Sequence, residues 1–525
     1  MDTKALRQKI LDLAIRGKLV PQDPNDEPAK VLLERIREQK QQMLKEGKLK
    51  KKDIKNDTII FKGEDSLHYE KFQDGTVKCI EDEIPFEVPE GWAWCKLNDI
   101  YNFIDYRGAT PTKITNGIPL VTAKNVKSGY IDYTIDDYIS EEEFKERQQR
   151  GISKKGDILF TTEAPLGNAA LADMEKFSAG QRLITFQQYG SKNELINYVM
   201  LMFILSDFFQ QQLYVNKTGS TVAGIKAAIL KTLWIPVPPY NEQLRISNTL
   251  KSAINLIDSI SKNKEILSTS ISNTKSKILD LAIRGKIVPQ DPNDEPTSVL
   301  LERIRAEKEE LIKQGKIKRD KKESVIFKGD DNSYYLRTGR VEESLEDWRF
   351  DDLPETWKIC CLGELCDYGD CINVNTEDIA EDAWILDLED IEKDTGTVLK
   401  KVTKDQRNSV STKHKFHSGQ VLYSKLRPYL NKVVLSDADG YCTSEILPLE
   451  FKNCVLPEYA RYYLMSGTFI AYANHCSYGV KMPRLGTTDG KKAIFSLPPL
   501  SEQKRIVETI DFCFVQLNKI SEALA

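Results

Sequence analysis

Apolar residues return every third or fourth position in several stretches of the chain, and each such stretch reads as one face of a helix. Residues 2–16 place Leu6, Ile10, Leu13 and Ala14 on one side, with Gly17 as the stop. A second helix is expected from about Ala29 to Lys45, after a link punctuated by Pro21, Pro24 and Pro28. The longest pattern runs from Asn241 to Arg284 and would reach roughly 66 Å at 1.5 Å per residue. Its seam is heptad. One position carries Ile246, Ala253, Ile260, Leu267, Thr274 and Leu281; the other carries Leu250, Ile257, Lys264, Ile271 and Ile278. That spacing predicts coiled-coil packing. Ile506, Ile510, Cys513, Leu517, Ile520 and Leu524 keep the same register 260 positions later. Residues 501–525 are therefore expected to begin a second long helix, completed by residues 2–16 with Ile10 and Leu13 on its seam. Short β-type runs, such as Ile118 to Ala123 and Asp157 to Thr162, precede helical runs such as Glu194 to Phe209 and Pro457 to Ala473. Ile59 to Phe61 and Val325 to Phe327 read as short strands.

The pattern occurs twice. Residues 9–37, KILDLAIRGKLVPQDPNDEPAKVLLERIR, return at 277–305 with changes only at Leu19/Ile287, Ala29/Thr297 and Lys30/Ser298. A repeat this close means two copies of one unit. The turn Val88-Pro-Glu-Gly-Trp92 returns as Leu353-Pro-Glu-Thr-Trp357, and each copy opens a module. Each module closes on a shared block, Ile235-Pro-Val-Pro-Pro-Tyr-Asn-Glu-Gln-Leu-Arg-Ile246 or Phe495-Ser-Leu-Pro-Pro-Leu-Ser-Glu-Gln-Lys-Arg-Ile506. Prolines stop a strand there, and Asn or Ser starts a helix. The segments expected are 1–87, a module at 88–240, a spacer helix at 241–285, a repeated insert at 286–352, a second module at 353–500 and the closing helix at 501–525. The fold class is α+β. Two α/β modules are separated by two long antiparallel coiled-coil helices, circularly arranged about a pseudo-two-fold axis.

Composition narrows the function. A chain of 525 residues is too long for one core. Its net charge of −4 gives no overall basic field. No apolar run approaches the roughly 18 residues of a membrane span, and no signal peptide is evident, so a cytoplasmic protein is expected. Ten irregularly spaced cysteines with no C-x-x-C pair read as reduced thiols rather than a metal site. The lysine-rich runs Lys45 to Lys55 and from Lys313 read as solvated loops. Nine Lys/Arg lie between Lys400 and Lys432 with one acid, and nine acids between Glu377 and Asp394 with one lysine. This split is expected to turn a basic face to phosphate and an acidic face away from it.

Catalytic signatures are missing: no G-x-x-x-x-G-K-[ST], H-E-x-x-H, G-x-S-x-G or Gly-rich cofactor turn occurs. Val237-Pro-Pro-Tyr240 lacks the Asp or Asn that an amino-directed DNA methyltransferase needs, so it reads as a strand-to-helix corner. The module loops instead carry residue types that reach base edges and phosphates. In the first module these are Arg107, Lys124, Asn125, Glu163, Arg182 and Lys217. In the second they are Lys425, Arg427, Tyr429 and Lys432 after one strand, with Tyr478, Lys481 and Arg484 in a later loop.

The paired Pro-Pro-x-x-Glu-Gln blocks, divergent modules, long helices and near-identical KILDLAIRGK segments resemble the specificity subunit of a type I restriction-modification enzyme, over essentially the whole chain. The resemblance implies two target-recognition domains, each reading half of a bipartite site on double-stranded DNA. It implies two methyltransferase subunits clamped on the helices, and restriction/translocase subunits in the full complex. S-adenosylmethionine, ATP and Mg would sit in those partners, with no cofactor bound by this chain and no catalysis of its own. Seam residues Ile246, Leu250, Ile257, Ile260, Ile271, Ile278, Ile506, Ile510, Leu517, Ile10 and Leu13 would form the spacer. The alternative is a coiled-coil assembly scaffold that recognises no DNA.

Overall fold

The computed structural model describes residues 2–54, 57–106, 110–189, 194–219, 223–315, 324–331, 333–345, 353–407 and 410–524. The chain divides into two compact units, Met1–Asn263 and Lys264–Ala525, joined within the single helix Tyr240–Ala282. Among the described residues, no helix is long and apolar enough to cross a membrane.

The first unit begins with helix Thr3–Ile15. The Asp2 carboxylate accepts from the Lys4 and Ala5 N–H groups and caps it. It stops where the Lys18 N–H donates to the Leu13 carbonyl and Gly17 N–H to Ala14, with Gly17 at φ +64°. Gly17 is demanded twice over, because a Cβ there would lie 2.3 Å from Pro89 and 3.1 Å from Trp92. Gly285 repeats the arrangement against Pro354 and Trp357. Helix Thr3–Ile15 runs antiparallel to the start of Tyr240–Ala282. Arg7 pairs with Asp258, and further along Gln22 reaches Glu242.

The insert forms helix Ala29–Lys45 and a three-stranded antiparallel sheet, Ile59–Lys62, His68–Lys71 and Val77–Cys79, with Phe61 opposite Tyr69 and Tyr69 opposite Cys79. It braces the module. Ala29, Leu32, Leu33 and Ile36 enter the same core as Leu97, Ile100 and Trp92. The buried Lys40 ammonium donates to the Asn98 carbonyl at 3.0 Å and pairs with Asp57 at 2.5 Å.

In the module, strand Ala93–Lys96 pairs antiparallel with Trp234–Val237. A four-stranded antiparallel sheet follows in the order Tyr101–Asp105, Leu183–Gln188, Ile158–Thr162, Leu166–Leu171. Helices Asn197–Ile204 and Asp207–Val215 pack beside it, the first buried almost all round.

The second unit repeats this plan. Strand Lys358–Cys361 pairs with Ile494–Leu497. Strands Val433–Leu435, Val421–Ser424 and Ile446–Leu449 form one sheet, and five further strands form another. Helices Pro457–Leu464 and Gly467–His475 follow, then the closing helix Leu500–Leu524. That helix runs antiparallel to the end of Tyr240–Ala282: Lys275 donates to the Asn518 side chain at 2.6 Å, and Ser496 to the Ile283 carbonyl at 2.7 Å. Among the described residues, strand pairing is antiparallel apart from one short parallel contact in each module, Ser178–Ala179 with Ile118–Val121 and Trp384–Leu386 with Gly440–Thr443.

The continuous heptad seam needs correction. Ile246, Leu250, Ile257 and Ile271 are buried, as are Ile506 and Ile510. Ile260, Ile278, Leu517, Ile10 and Leu13 are only half-buried, while Leu267, Thr274 and Ile520 are exposed. The buried line instead runs Ile246, Leu250, Ile254 and Ile257, then resumes at Ile271, Leu279, Ala282 and Ile283. On helix Thr3–Ile15 it is Leu11, Ala14 and Ile15 that go inside. These residues share one core with the module helix Asn197–Ile204, as Leu279, Ala282 and Ile283 do with Pro457–Leu464. Each half-helix is covered by a partner helix and a module together, so its apolar face is wider than a two-position seam.

The shared blocks meet at one joint per unit. The Trp92 indole N–H donates to Glu242 at 2.9 Å, and Gln22 donates to the same carboxylate at 2.8 Å. Trp357 and Gln290 do the same to Glu502, at 2.9 and 2.5 Å. Arg245 pairs with Asp26 at 2.5 Å and Arg505 with Asp294 at 2.6 Å. The Gln243 side chain accepts from the Ile196 N–H and donates to the Pro238 carbonyl; Gln503 does so with Leu456 and Pro498. Pro-x-x-Trp, Val-Pro-Gln-Asp-Pro-Asn-Asp and Pro-Pro-x-x-Glu-Gln are thus one device that sets a module on its helix. Pro-Pro is a strand-to-helix corner in both copies, between Val237 and Tyr240 and between Leu497 and Leu500.

Candidate nucleic-acid interface

Each module brings the loop after its central strand against a hairpin that follows its second helix. In the first module, Ile225 N–H donates to the Thr162 carbonyl at 3.0 Å and Thr162 N–H to the Arg182 carbonyl at 3.1 Å. The hairpin closes by exchange between Thr218 and Gly224, at 2.8 and 3.0 Å, and Gly224 also bridges to Glu163. Glu163 and Arg182 are therefore neighbours, and Lys217 directly precedes the hairpin's closing Thr218. Arg182 pairs with Glu163 at 3.1 Å, both half-exposed, and Lys217 lies over the Tyr214 ring at 5.4 Å. Arg107 lies outside the described residues. Its neighbour Thr110 donates to Gln181, beside Arg182, at 2.7 Å.

Lys124 is exposed on a different loop. Asn125 beside it does not reach solvent, which corrects its reading as a base contact. It is buried, accepts from the Thr122 N–H and hydroxyl, and donates to the Asp132 and Ile135 carbonyls. A side-chain amide so committed holds the loop in shape and has no donor left for a base.

The second module repeats the frame, its hairpin 260 positions on and its loop 263. Tyr478 and Arg484 exchange backbone hydrogen bonds at 3.0 and 2.9 Å, and Arg484 bridges to Leu426. Leu485 N–H donates to the Lys425 carbonyl at 3.0 Å, and Arg427 N–H to the Pro483 carbonyl at 2.7 Å. Lys425, Arg427, Tyr429, Tyr478 and Lys481 come together here, with Tyr429, Tyr478 and Lys481 exposed. Arg427 sits at φ +51°, and its Nε is buried without a hydrogen-bond partner. Arg427 at a left-handed position is strained backbone of the kind that functional loops hold.

Two residues of this loop pair do other work. Arg484 is locked in a two-pronged contact with Glu445, from Nε at 3.0 Å and Nη2 at 2.9 Å, which raises the guanidinium's pKa. Glu445 was not singled out by pattern, because nothing in its local sequence marks it as the hairpin's anchor. Lys432 donates to the Leu388 carbonyl at 2.6 Å, and burial lowers its pKa, so it buttresses the module rather than facing phosphate.

The expected basic and acidic faces are likewise corrected. The start of the basic run, Lys400 to Arg407, pairs with acids rather than standing apart from them, mostly with those of the acidic run. Arg407 reaches Asp387 and, at 2.6 Å, the fully buried Asp390; Lys400 lies 3.7 Å from Asp390; Lys404 pairs with Glu381 at 3.0 Å. Lys401 pairs with Asp437 at 2.7 Å, and Lys413 is buried. A buried carboxylate needs a partner, and the basic run supplies it. Within the first lysine-rich run, Leu49 is buried and Lys51–Ile54 forms a helical turn, while most of the second run lies outside the described residues.

Comparison with known proteins gives this geometry a setting. The family model for the type I restriction modification DNA specificity domain matches twice, over residues 89–268 and 354–523. The chain is 28% identical to the Escherichia coli type I restriction enzyme EcoAI specificity subunit, over 98% of this chain and 90% of that one. It is 26% identical to the EcoEI specificity subunit from the same species, over 99% and 90%. A chain from a solved structure titled for complex assembly and conformational transition of the type I R-M system has the same fold at a TM-score of 0.52 and 16% identity, covering 84% of this chain and 94% of that one. With the family domain matched once in each unit and relatives aligned almost end to end, the chain belongs to the type I restriction-modification specificity subunits, the non-catalytic DNA-recognition component of such a complex.

Proposed function

We propose that each module reads one half of a bipartite duplex DNA sequence through its loop-and-hairpin pair. One observation carries this reading. The frame is the same at Thr218–Gly224 and Tyr478–Arg484, yet the side chains on it differ. A shared backbone with dissimilar side chains suits two modules that bind one kind of ligand and distinguish two sequences. Arg182 and Lys217 in the first module, and Lys425, Arg427 and Lys481 in the second, supply cations for phosphates and for guanine edges. Two methyltransferase subunits dock along the paired helices, and restriction/translocase subunits complete the complex in the cytoplasm. S-adenosylmethionine, ATP and Mg are bound by those partners.

Methylome sequencing of a host with and without this chain tests the proposal. A two-part methylated sequence should appear only with the chain present. Exchanging residues 88–240 for the corresponding module of a relative should change one half-sequence and leave the other intact. A methylome indifferent to the chain, or an exchange that alters both halves, would overturn the assignment.

A further inference from the structure

The hairpin Tyr478–Arg484 ends in an apolar tip amid cations. Val480 is 102% exposed and Met482 45%, with Lys481 between them; Tyr478 and Tyr429, 61% and 48% exposed, stand at the base. A single exposed valine carries no message. Here four large side chains with apolar surface share one loop pair with Lys425, Arg427 and Lys481. The tip is also held out from the body. Tyr478 and Arg484 close the hairpin, the Arg427 N–H binds the Pro483 carbonyl at 2.7 Å, and the Arg484 guanidinium is clamped by Glu445. Gly479, at φ +94°, makes the turn that lifts Val480. At the matching positions of the first module, Ser220 stands for Val480, Thr221 for Lys481 and Val222 for Met482; these three lie outside the described residues.

Phosphates offer a valine nothing. Among base edges in the major groove, the apolar feature is the C5 methyl group of thymine. We propose that Val480 recognises a thymine methyl in the half-sequence read by the second module, while Arg484, through Glu445, is the positioning residue that fixes the tip. This inference rests on the recognition reading above and narrows it.

The test uses the full chain in complex with its methyltransferase subunits. The methylome defines the half-sequence assigned to the second module. Thymines of that half, on both strands, are replaced one at a time by deoxyuridine, which removes the methyl and keeps every hydrogen-bonding group. One replacement should weaken binding about four-fold, the worth of roughly one buried methyl group. Val480→Ser, a change at a fully exposed position, should bind the thymine duplex about four-fold more weakly and no longer distinguish thymine from uracil there. No effect of deoxyuridine anywhere in that half, or unchanged discrimination in Val480→Ser, overturns the inference. If the complex prefers its methylome sequence to a scrambled duplex by no margin, the recognition reading itself fails, and the two failures are distinct.

Discussion

Replacing Glu502 by alanine isolates what the joint contributes. Glu502 is fully buried, and its two oxygens take the Trp357 indole N–H at 2.9 Å and the Gln290 amide at 2.5 Å. Gln290 is exposed, so water can replace its lost bond. Trp357 is 4% exposed, so its N–H is stranded, at about 1–3 kcal/mol. The lost bond to the exposed amide adds about 1 kcal/mol. Against this, burial raises the Glu502 pKa, so ionising the carboxyl inside the fold has its own cost, which alanine removes. The balance is a loss of about 2 kcal/mol. Glu502→Gln keeps an acceptor for the indole and sheds the buried charge, so it should lose under half as much. Glu242→Ala should match Glu502→Ala, because Trp92 and Gln22 repeat the contacts. Peptide-resolved hydrogen exchange reads each unit separately. Glu502→Ala should loosen residues 353–365 and 494–510 and leave the first unit protected. A loss below about 0.5 kcal/mol, within the range of an ordinary surface substitution, or equal loosening of both units, would refute the assignment of these motifs to a local joint.

Asp157 gives a pH signature. Burial pushes its carboxyl up to about 6, against hydrogen bonds from the Lys154 N–H and Gln187. The folded state then holds the proton more tightly than the unfolded chain, so the cost of ionisation is absent below about pH 4 and complete above about pH 6. Urea titrations should show the wild type losing on the order of 2–3 kcal/mol across that window, and Asp157→Asn a flatter profile. Asn125→Ala should lower stability by about 2 kcal/mol and weaken all DNA sequences together, whereas Lys124→Ala should leave the melting temperature alone and lower only the salt dependence of binding. Arg427→Ala should relax one base position of the second half-sequence, at about 1–3 kcal/mol, in a binding-site selection. Four residues inserted after Ser268 add about 6 Å of helix, and the methylome should then show both half-sequences intact with one or two more unspecified base pairs between them.

Periodicity and repetition were enough to find the long helices, the modules between them and the blocks that recur, because those depend on local pattern alone. The spacer helix expected at Asn241 to Arg284 is Tyr240–Ala282, and the insert helix expected from Ala29 to Lys45 has those bounds. What faces each helix was decided by packing. Leu11 and Ile15 outrank Ile10 and Leu13 because a module, and not only a second helix, covers that side. The charge runs of the second module looked like two faces in the sequence. Folding set Arg407 on Asp390, since a buried carboxylate must find a cation and the nearest strands bring one. Residue type alone could not separate Arg427 from Arg484, or Lys124 from its neighbour Asn125. Exposure and hydrogen-bond partners separate them, and both are created by residues distant in sequence, such as Glu445 for Arg484 and Asp132 for Asn125. The sequence by itself determined which segments are helix, module and joint; tertiary contact alone determined which side chains remain available to a ligand.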